Sequence, residues 1–215
     1  MSFIESKVHQ QLQNGSVWYS RDCVHPDDGL RNALRTETAD RACYVEALRQ
    51  RLGSTDLRQR TGAIALLDEI LPDIGADRAL AALRAVPLEP SQQPAWPIGG
   101  ADLEQAAASA LAANATAADT DTIDWVKQLA VERDYRVFLL AHLARLDSDW
   151  IFENIKLVSH GNLSILTALP VDRREAFIDA LAPWPPEEPS QLSRAFWKRL
   201  PPAEAARLRS RMWPG

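Results

Sequence analysis

Two short groups of residues in this chain have types and spacing that chemistry could use. Cys23 precedes His25 by two residues, so a thiol and an imidazole could form a nucleophile–base pair or begin a metal site. Asp149 and Glu153 are four residues apart, so a helix would place both carboxylates on one face, where they could bind a metal or act as acid and base. Each group also has a plain interpretation: a turn before Pro26 for the first, and a capped helix start for the second.

Other reactive patterns are missing from the sequence. The Cys23–His25 pair has no two further ligands at the spacing of a zinc site. The acids Asp119, Asp121 and Asp124 lack the glycine and the distal glutamate of a calcium loop, and no glycine-rich phosphate loop is present. We therefore predict no catalytic residue, no metal and no cofactor, and the sequence favours a protein that is not an enzyme.

Tryptophan is the most distinctive side chain for recognition. The chain has seven, and Trp96, Trp184 and Trp213 stand next to proline, where regular helix is disfavoured. Large aromatic side chains are strong anchors for protein partners, but they are also strong core residues. We predict Trp96, Trp150 and Trp184 as partner-binding residues, with packing against their own domain as the alternative.

Charge is distributed unevenly along the sequence. The formal net charge of −5 argues against a general nucleic-acid binder, which needs a surface that neutralises phosphates. No Lys or Arg occurs from Ala85 to Val126, whereas the segment from Ser190 to Gly215 has six basic residues and one acid. An acidic surface would speed association with a basic protein, although two solvated faces are the alternative. The acids predicted to face such a partner are Asp102, Glu104, Asp119, Asp121 and Asp124.

Helical periodicity dominates the elements that must position these side chains. Apolar residues recur at three- and four-residue spacing, and no stretch alternates convincingly with a period of two. We therefore predict an all-α fold with strand content near zero. The segment 87–100 contains four prolines and two glycines, so it is predicted to be a loop or a linker between helical halves at 1–86 and 101–215. One continuous domain is the alternative.

Some details of helix placement are specific enough to check. One helix, capped at its start by Ser or Thr, is expected across 54–72. A longer helix is expected across 121–146, with a break near 132–134 and with Val137 on its apolar face. His160 is expected to cap the end of its own helix, where the dipole favours a cation.

Internal repetition is visible in the later part of the chain. Leu169-Pro170 and Leu200-Pro201 each lead into a predicted helix and lie 31 residues apart. Leu71-Pro72 is a third instance of the same stop and restart. A period in the thirties is typical of stacked helical hairpins.

The stretch from Asp56 to Leu67 resembles the second helix of a HEAT-type repeat, in which an acid precedes an arginine by four positions. Gln59 departs from that pattern, because an aliphatic residue is usual there. The resemblance covers about a quarter of the chain, and it implies an array of antiparallel helical hairpins, an α–α superhelix, whose concave face binds a partner. The residues that fit are Asp56, Arg60, Ala63, Ile64 and Leu67, and a looser second match is Glu132, Tyr135, Arg136, Leu140 and Leu143.

These patterns favour a non-enzymatic protein-binding module, either an acidic helical-repeat adaptor or an inhibitor of a basic toxin of the immunity-protein type. The 20 Arg against 4 Lys, with abundant Ala, are typical of a GC-rich bacterial genome. One alternative is a nucleic-acid-acting enzyme that resembles the HEAT-like DNA glycosylases, with Asp149, Trp150 and the Arg-rich tail in its groove. Another is a structural subunit that self-associates when its basic C-terminal helix docks on the acidic half of another copy.

The expected location follows from what the sequence does not contain. No apolar run approaches the ~18 residues of a membrane span. Glu5, Lys7 and His9 interrupt the first apolar residues, unlike the unbroken stretch of a signal peptide. Two cysteines in a chain of this length favour free thiols over a disulfide framework. We therefore predict a cytoplasmic protein with no membrane partner.

Overall fold

Helices dominate the chain, which is described by a computed structural model. The fold class is all-α, as predicted. No helix in the described part of the chain has both the length and the apolar character needed to cross a bilayer. The residues that the structure describes are 17–19, 24–26, 34–35, 41–86, 103–185 and 194–213.

A small antiparallel ribbon precedes the helices. Strand β1 (Val17–Tyr19) pairs with strand β2 (Val24–Pro26), and Trp18 lies opposite His25. These are the only strands among the described residues. With six residues in total, these strands agree with the expected near-zero strand content. Strands of three residues are too short to leave a periodic signal in the sequence.

The chain divides into two compact units, Met1–Asp124 and Trp125–Gly215. The helices from residue 41 to residue 132 are α1 (Arg41–Leu52), α2 (Leu57–Ala65), α3 (Leu67–Ile74), α4 (Ala76–Arg84), α5 (Leu103–Asn114) and α6 (Thr120–Glu132). In the first unit, α1 packs against α2, α3 and α4. α5 follows segment 87–100 and packs against the same three helices. The division between the two units falls within α6.

The single helix expected across 54–72 is wrong. α2 and α3 are separated at Leu66, whose φ of −110° and ψ of 11° leave the helical path. Pro72 lies inside α3 and does not end it, because burial of the apolar face of α3 outweighs the loss of one helical hydrogen bond. Gly75 ends the helix with a φ of +78°, which glycine adopts readily, and its N–H donates to the Leu71 carbonyl oxygen at 2.8 Å.

The arginine of the HEAT-type pattern is buried in the first unit. The Arg60 guanidinium donates to the carbonyl oxygens of Leu83, at 2.5 Å, and Val86. Burial lowers the pKa of Arg60, but these carbonyls lie at the negative end of α4, where a cation is favoured. Asp56, four residues earlier, accepts hydrogen bonds from the backbone and the side-chain amide of Gln59.

The second unit follows from the end of α6. Its helices are α7 (Val137–Leu146), α8 (Ser148–Glu153), α9 (Ser164–Ala168), α10 (Arg174–Ala180), α11 (Arg194–Trp197) and α12 (Pro202–Met212), with 3-10 turns at Asp134–Arg136, Ile155–Leu157 and Val171–Arg173. The break expected near 132–134 is confirmed, because α6 ends at Glu132 and the 3-10 turn at Asp134–Arg136 leads into α7. α7 packs against α8 and α9, and α10 packs against α12.

The two Leu-Pro segments of the second unit have the same backbone conformation. Pro170 has φ −50° and ψ 143°, and Pro201 has φ −54° and ψ 137°. A 3-10 turn and α10 follow the first proline, and α12 follows the second. Arg174 at the start of α10 and Glu204 in the first turn of α12 form an ion pair of 2.8 Å, which joins the helices that follow the two segments.

Candidate functional site

Large exposed apolar side chains are concentrated on either side of the turn between α6 and α7. Val131 is 52% exposed, Val137 41% and Phe138 56%. Only two other described large apolar residues, Leu57 and Val171, are exposed to a comparable degree. We call Val131, Val137 and Phe138 the 131–138 patch.

The local chain path explains why these three side chains point outward. α6 ends when Arg133 turns to an extended conformation, and its N–H still donates to the Leu129 carbonyl oxygen at 2.9 Å. α7 then begins directly after the 3-10 turn and buries Leu139, Leu140, Leu143 and Ala144. Those four residues recur at four-residue spacing and fill the inward face, so Phe138 is left on the outward face. Val137 is the first residue of α7 and stands at the edge of the inward face.

Val137 is therefore placed differently from the prediction. It was expected on the apolar face of one long helix, but the restart of the helix after the 3-10 turn changes the phase of the pattern. Sequence reasoning also missed Val131 and Phe138. The usable signal for Phe138 is the pair of four-residue spacings, Leu139 to Leu143 and Leu140 to Ala144, because it defines an inward face opposite to residue 138.

A second partly exposed region lies around α8. Val171 is 59% exposed, and the Arg173 guanidinium lies 4.8 Å from the centre of the Phe152 ring. Arg173 also pairs with Asp149, and Phe152 packs edge-to-face on Phe177 with ring centres 6.4 Å apart. Asp149, which is predicted to act together with Glu153, is thus paired with a cation from the 3-10 turn at Val171–Arg173.

The predicted tryptophans differ in their surroundings. Trp184 is half-buried, and its indole N–H donates to the Ile178 carbonyl oxygen at 2.9 Å. Its ring packs edge-to-face on His160, with centres 4.9 Å apart, and on Trp213, with centres 6.0 Å apart. These contacts anchor Trp184 to its own unit. Trp150 is half-buried at the start of α8, and Trp96 lies outside the described residues.

One of the predicted partner-binding acids is used inside the first unit. The Asp119 carboxylate accepts hydrogen bonds from the backbone N–H and the hydroxyl of Thr116, both at 2.8 Å. Burial opposes its ionisation, but these bonds, together with the backbone N–H groups of Asp77 and Ala76, outweigh burial and lower the pKa of Asp119. In return Asp77 accepts the backbone N–H of Thr122 at 2.8 Å.

The remaining predicted acids lie at the starts of two helices. Asp121 and Asp124 are both exposed on α6, and their three-residue spacing places them on one face. Glu104 is half-buried in the first turn of α5. Asp102 lies outside the described residues.

The predicted reactive groups are not brought together in the described part of the chain. Cys23 lies outside it, and His25 is described only as a backbone position in β2. His160 does not cap its own helix, because α8 has already ended at Glu153; its Nε2 lies 2.8 Å from the carbonyl oxygen of Leu181, at the end of α10. Within the described ranges no three side chains of His, Cys, Asp or Glu are grouped as metal ligands would be.

Comparisons of the chain with protein-family models, with curated proteins and with solved structures find no match. The 131–138 patch is therefore assessed by its own geometry. Single exposed apolar residues are ordinary on protein surfaces, whereas contiguous ones mark places where another molecule is bound. Because three of the five exposed large apolar residues of the described chain lie within eight residues of sequence, the 131–138 patch is the leading candidate there.

Proposed function

We propose that this chain is a non-enzymatic protein-binding module and that the 131–138 patch is its docking surface. The observation that carries the proposal is the exposure of Val131, Val137 and Phe138 within eight residues of sequence. Partner binding would remove this apolar surface from water, which is the main favourable contribution in most protein associations.

The expected contribution of Phe138 can be bounded. Full burial of a large apolar side chain stabilises by about 1.5–3 kcal/mol, and Phe138 still exposes just over half of its surface. Completing its burial in a complex would therefore contribute about 1 kcal/mol or more, which is a change of roughly fivefold to tenfold in affinity. Aromatic residues at the centre of an interface often exceed this value.

The class of module that we propose is a helical-repeat adaptor or an inhibitor of the immunity-protein type. The recurrence of Leu-Pro segments with matching backbone angles before α10 and α12 supports the repeat. The exposed carboxylates Asp121 and Asp124 support a partner that carries basic groups.

The environment of Asp149 supports a non-enzymatic function over a glycosylase-like one. Its side chain is 78% exposed and is paired with Arg173. A carboxylate that acts as a base on a buried nucleobase works in a site that excludes water, where burial can raise its pKa. Asp149 is instead exposed to water and paired with a cation.

The proposal can be tested by site-specific photo-cross-linking. A photoreactive amino acid placed at position 138 should capture a specific protein in cells of the source organism, whereas the same amino acid at Ala180, an exposed position on α10, should not. The captured protein is then purified and titrated against the chain. Phe138→Ser should weaken that binding at least about fivefold without changing the circular dichroism spectrum.

Two results would count against the docking surface. One is the same set of cross-linked proteins from positions 138 and 180. The other is equal affinity of the purified partner for the native chain and for Phe138→Ser. Lys156→Ser, at an exposed position of the same unit, is the matched substitution that should leave the affinity unchanged.

A further inference from the structure

One aspartate of the second unit contacts three consecutive helices. Asp147 follows the end of α7, and its backbone N–H donates to the Leu143 carbonyl oxygen at 2.7 Å. Its side chain caps the start of α8, because one carboxylate oxygen accepts the backbone N–H of Trp150 at 3.1 Å. The other oxygen pairs with the Lys127 ammonium of α6 at 2.8 Å. Asp147 therefore links the last part of α6 to the junction between α7 and α8.

This ion pair is partly sheltered from water. The Lys127 side chain is 23% exposed and the Asp147 side chain is 33% exposed. The hydrogen bond from Lys127 has the largest influence on Asp147, and together with the Trp150 N–H it outweighs burial and lowers the pKa of the carboxyl. Asp147 is thus charged at neutral pH. Salt screens a partly buried pair of this kind less than it screens a fully exposed one.

The pair closes the segment that carries the 131–138 patch. Lys127 lies four residues before Val131, so the two residues are neighbours on one side of α6, one helical turn apart. Asp147 stands at the opposite end of α7 from Phe138. The whole patch therefore lies between the two partners in the chain. α7 packs against the helices that follow it, α8 and α9, and the ion pair adds a contact to the helix that precedes it.

We propose that the Lys127–Asp147 ion pair controls how the 131–138 patch is presented, with Asp147 as a positioning residue. This inference rests on the proposed docking function of the patch. Val131 belongs to α6, whereas Val137 and Phe138 belong to α7, so a partner meets all three side chains together only while the end of α6 keeps its place beside α7. A surface that is ordered before binding avoids the cost of ordering it in the complex.

Amide hydrogen exchange tests the positioning without any partner. The backbone N–H of Arg133 donates to the Leu129 carbonyl oxygen at the end of α6. In Lys127→Gln and in Asp147→Asn this amide should exchange at least about threefold faster than in the native chain, because loss of the ion pair lets the end of α6 open locally. The Leu181 amide at the end of α10 is the matched control and should exchange at the native rate.

Affinity for the protein captured through position 138 tests the effect on docking. Lys127→Gln and Asp147→Asn should each weaken binding about threefold. Asparagine caps a helix as well as aspartate does, so Asp147→Asn removes the charge and keeps the cap of α8. The double variant should bind no more weakly than either single variant, because both changes remove the same ion pair.

Two further variants separate the ion pair from a general effect of charge. Lys127→Arg keeps a cation at the end of α6 and should bind like the native chain. Asp149→Asn removes a carboxylate only two residues from Asp147, where the ion-pair partner is Arg173, and it should leave the affinity unchanged. Circular dichroism checks that every variant is folded.

Two results would overturn the inference. One is native hydrogen exchange across residues 131–138 in both single variants, because the ion pair would then not position the patch. The other is a loss of stability in Asp147→Asn with no loss of affinity, because Asp147 would then serve the fold alone. Native affinity in Phe138→Ser would instead remove the docking function itself, and the exchange rates would still decide whether the ion pair positions the segment.

Discussion

Asp77 and Asp119 each accept hydrogen bonds at the start of the other's helix. Asp77 takes the Thr122 N–H of α6 at 2.8 Å, and the Asp119 carboxylate is stabilised by the N–H groups of Asp77 and Ala76 at the start of α4. Because the first N–H groups of a helix have no partner within it, this exchange satisfies donors of two helices and joins residues 42 apart in sequence.

Replacing Asp119 with Asn should lower the free energy of unfolding by about 1 kcal/mol at neutral pH, the typical value of a helix cap. Urea denaturation followed by circular dichroism measures the loss. Asp121→Asn is the matched control, because Asp121 is exposed in the first turn of the same helix. It should change stability by less than about 0.5 kcal/mol. Equal losses from the two variants would show that the exchange of caps contributes nothing.

The difference between the native chain and Asp119→Asn should also depend on pH. The pKa of Asp119 is lowered in the folded chain from its ordinary value of 3.8. Its contribution is therefore fully present above pH 3.8 and is lost as the pH falls through the lower, folded value. Unfolding measured from neutral pH down to about pH 2 should show the two curves converging on the acid side. If the difference in the free energy of unfolding between the two proteins grew as the pH fell, the lowered pKa of Asp119 would be contradicted.

Glu46 is expected to titrate well below an ordinary glutamate. Hydrogen bonds from Arg49, at 2.6 Å and 2.8 Å, and then from Gln50, at 2.9 Å, lower its pKa from 4.5 to about 2. Arg49→Gln should therefore raise the pKa of Glu46 toward 4.5, measured by NMR titration of the carboxyl carbon. Arg78→Gln removes only a weaker, more distant charge effect and should raise it less. A larger rise in the pKa of Glu46 from Arg78→Gln than from Arg49→Gln would show that the Arg49 hydrogen bonds are not the main cause of the low pKa.

Thr122 and Thr61 are a matched pair of buried threonines in the first unit. The Thr61 hydroxyl donates to the Leu57 carbonyl oxygen at 2.7 Å, whereas the buried Thr122 hydroxyl has no hydrogen-bond partner among the described residues. Thr122→Val should raise the free energy of unfolding by about 1 kcal/mol, because an unsatisfied polar group is replaced by a methyl group of the same shape. Thr61→Val should be neutral or destabilising by about 1 kcal/mol. A loss of stability in Thr122→Val as large as in Thr61→Val would contradict the conclusion that the Thr122 hydroxyl has no hydrogen-bond partner among the described residues.

The Arg174–Glu204 pair should contribute more to the free energy of unfolding than any exposed ion pair of the second unit. Arg174 also donates to the carbonyl oxygens of Leu169 and Thr167, so it joins the starts of α10 and α12 to the end of α9. Arg174→Met leaves Glu204 buried and unpaired and should cost about 3 kcal/mol. Asp149→Asn, at an exposed pair with Arg173, should cost less than about 1 kcal/mol.

Tryptophan fluorescence during urea unfolding suits this comparison, because five of the seven tryptophans lie in residues 125–215. The double variant Arg174→Met/Glu204→Leu should recover part of the loss, since no buried charge is then left unpaired. A double variant less stable than Arg174→Met alone would show that Glu204 is stabilised by other groups.

Local periodicity by itself determined the fold class of this protein and many of its helix positions. The break after Glu132 and the restarts after Leu169-Pro170 and Leu200-Pro201 were predictable because proline and the phase of apolar residues act within a few residues. The same local rules failed at Pro72, where burial of α3 keeps proline inside a helix, and at residues 17–26, where the pairing of β1 and β2 leaves no local signal.

The tertiary structure decided what the polar and aromatic residues do. Sequence placed Asp119 among the partner-binding acids, but the N–H groups around its carboxylate come partly from a helix more than 40 residues away. The sequence does not show that Glu204 is buried against Arg174 while Lys198 remains exposed. Nor does it show that Trp184 packs on His160 and Trp213. Sequence records how many charges and rings a segment holds. Only packing between distant segments determines which of them satisfy one another and which are left to meet a partner.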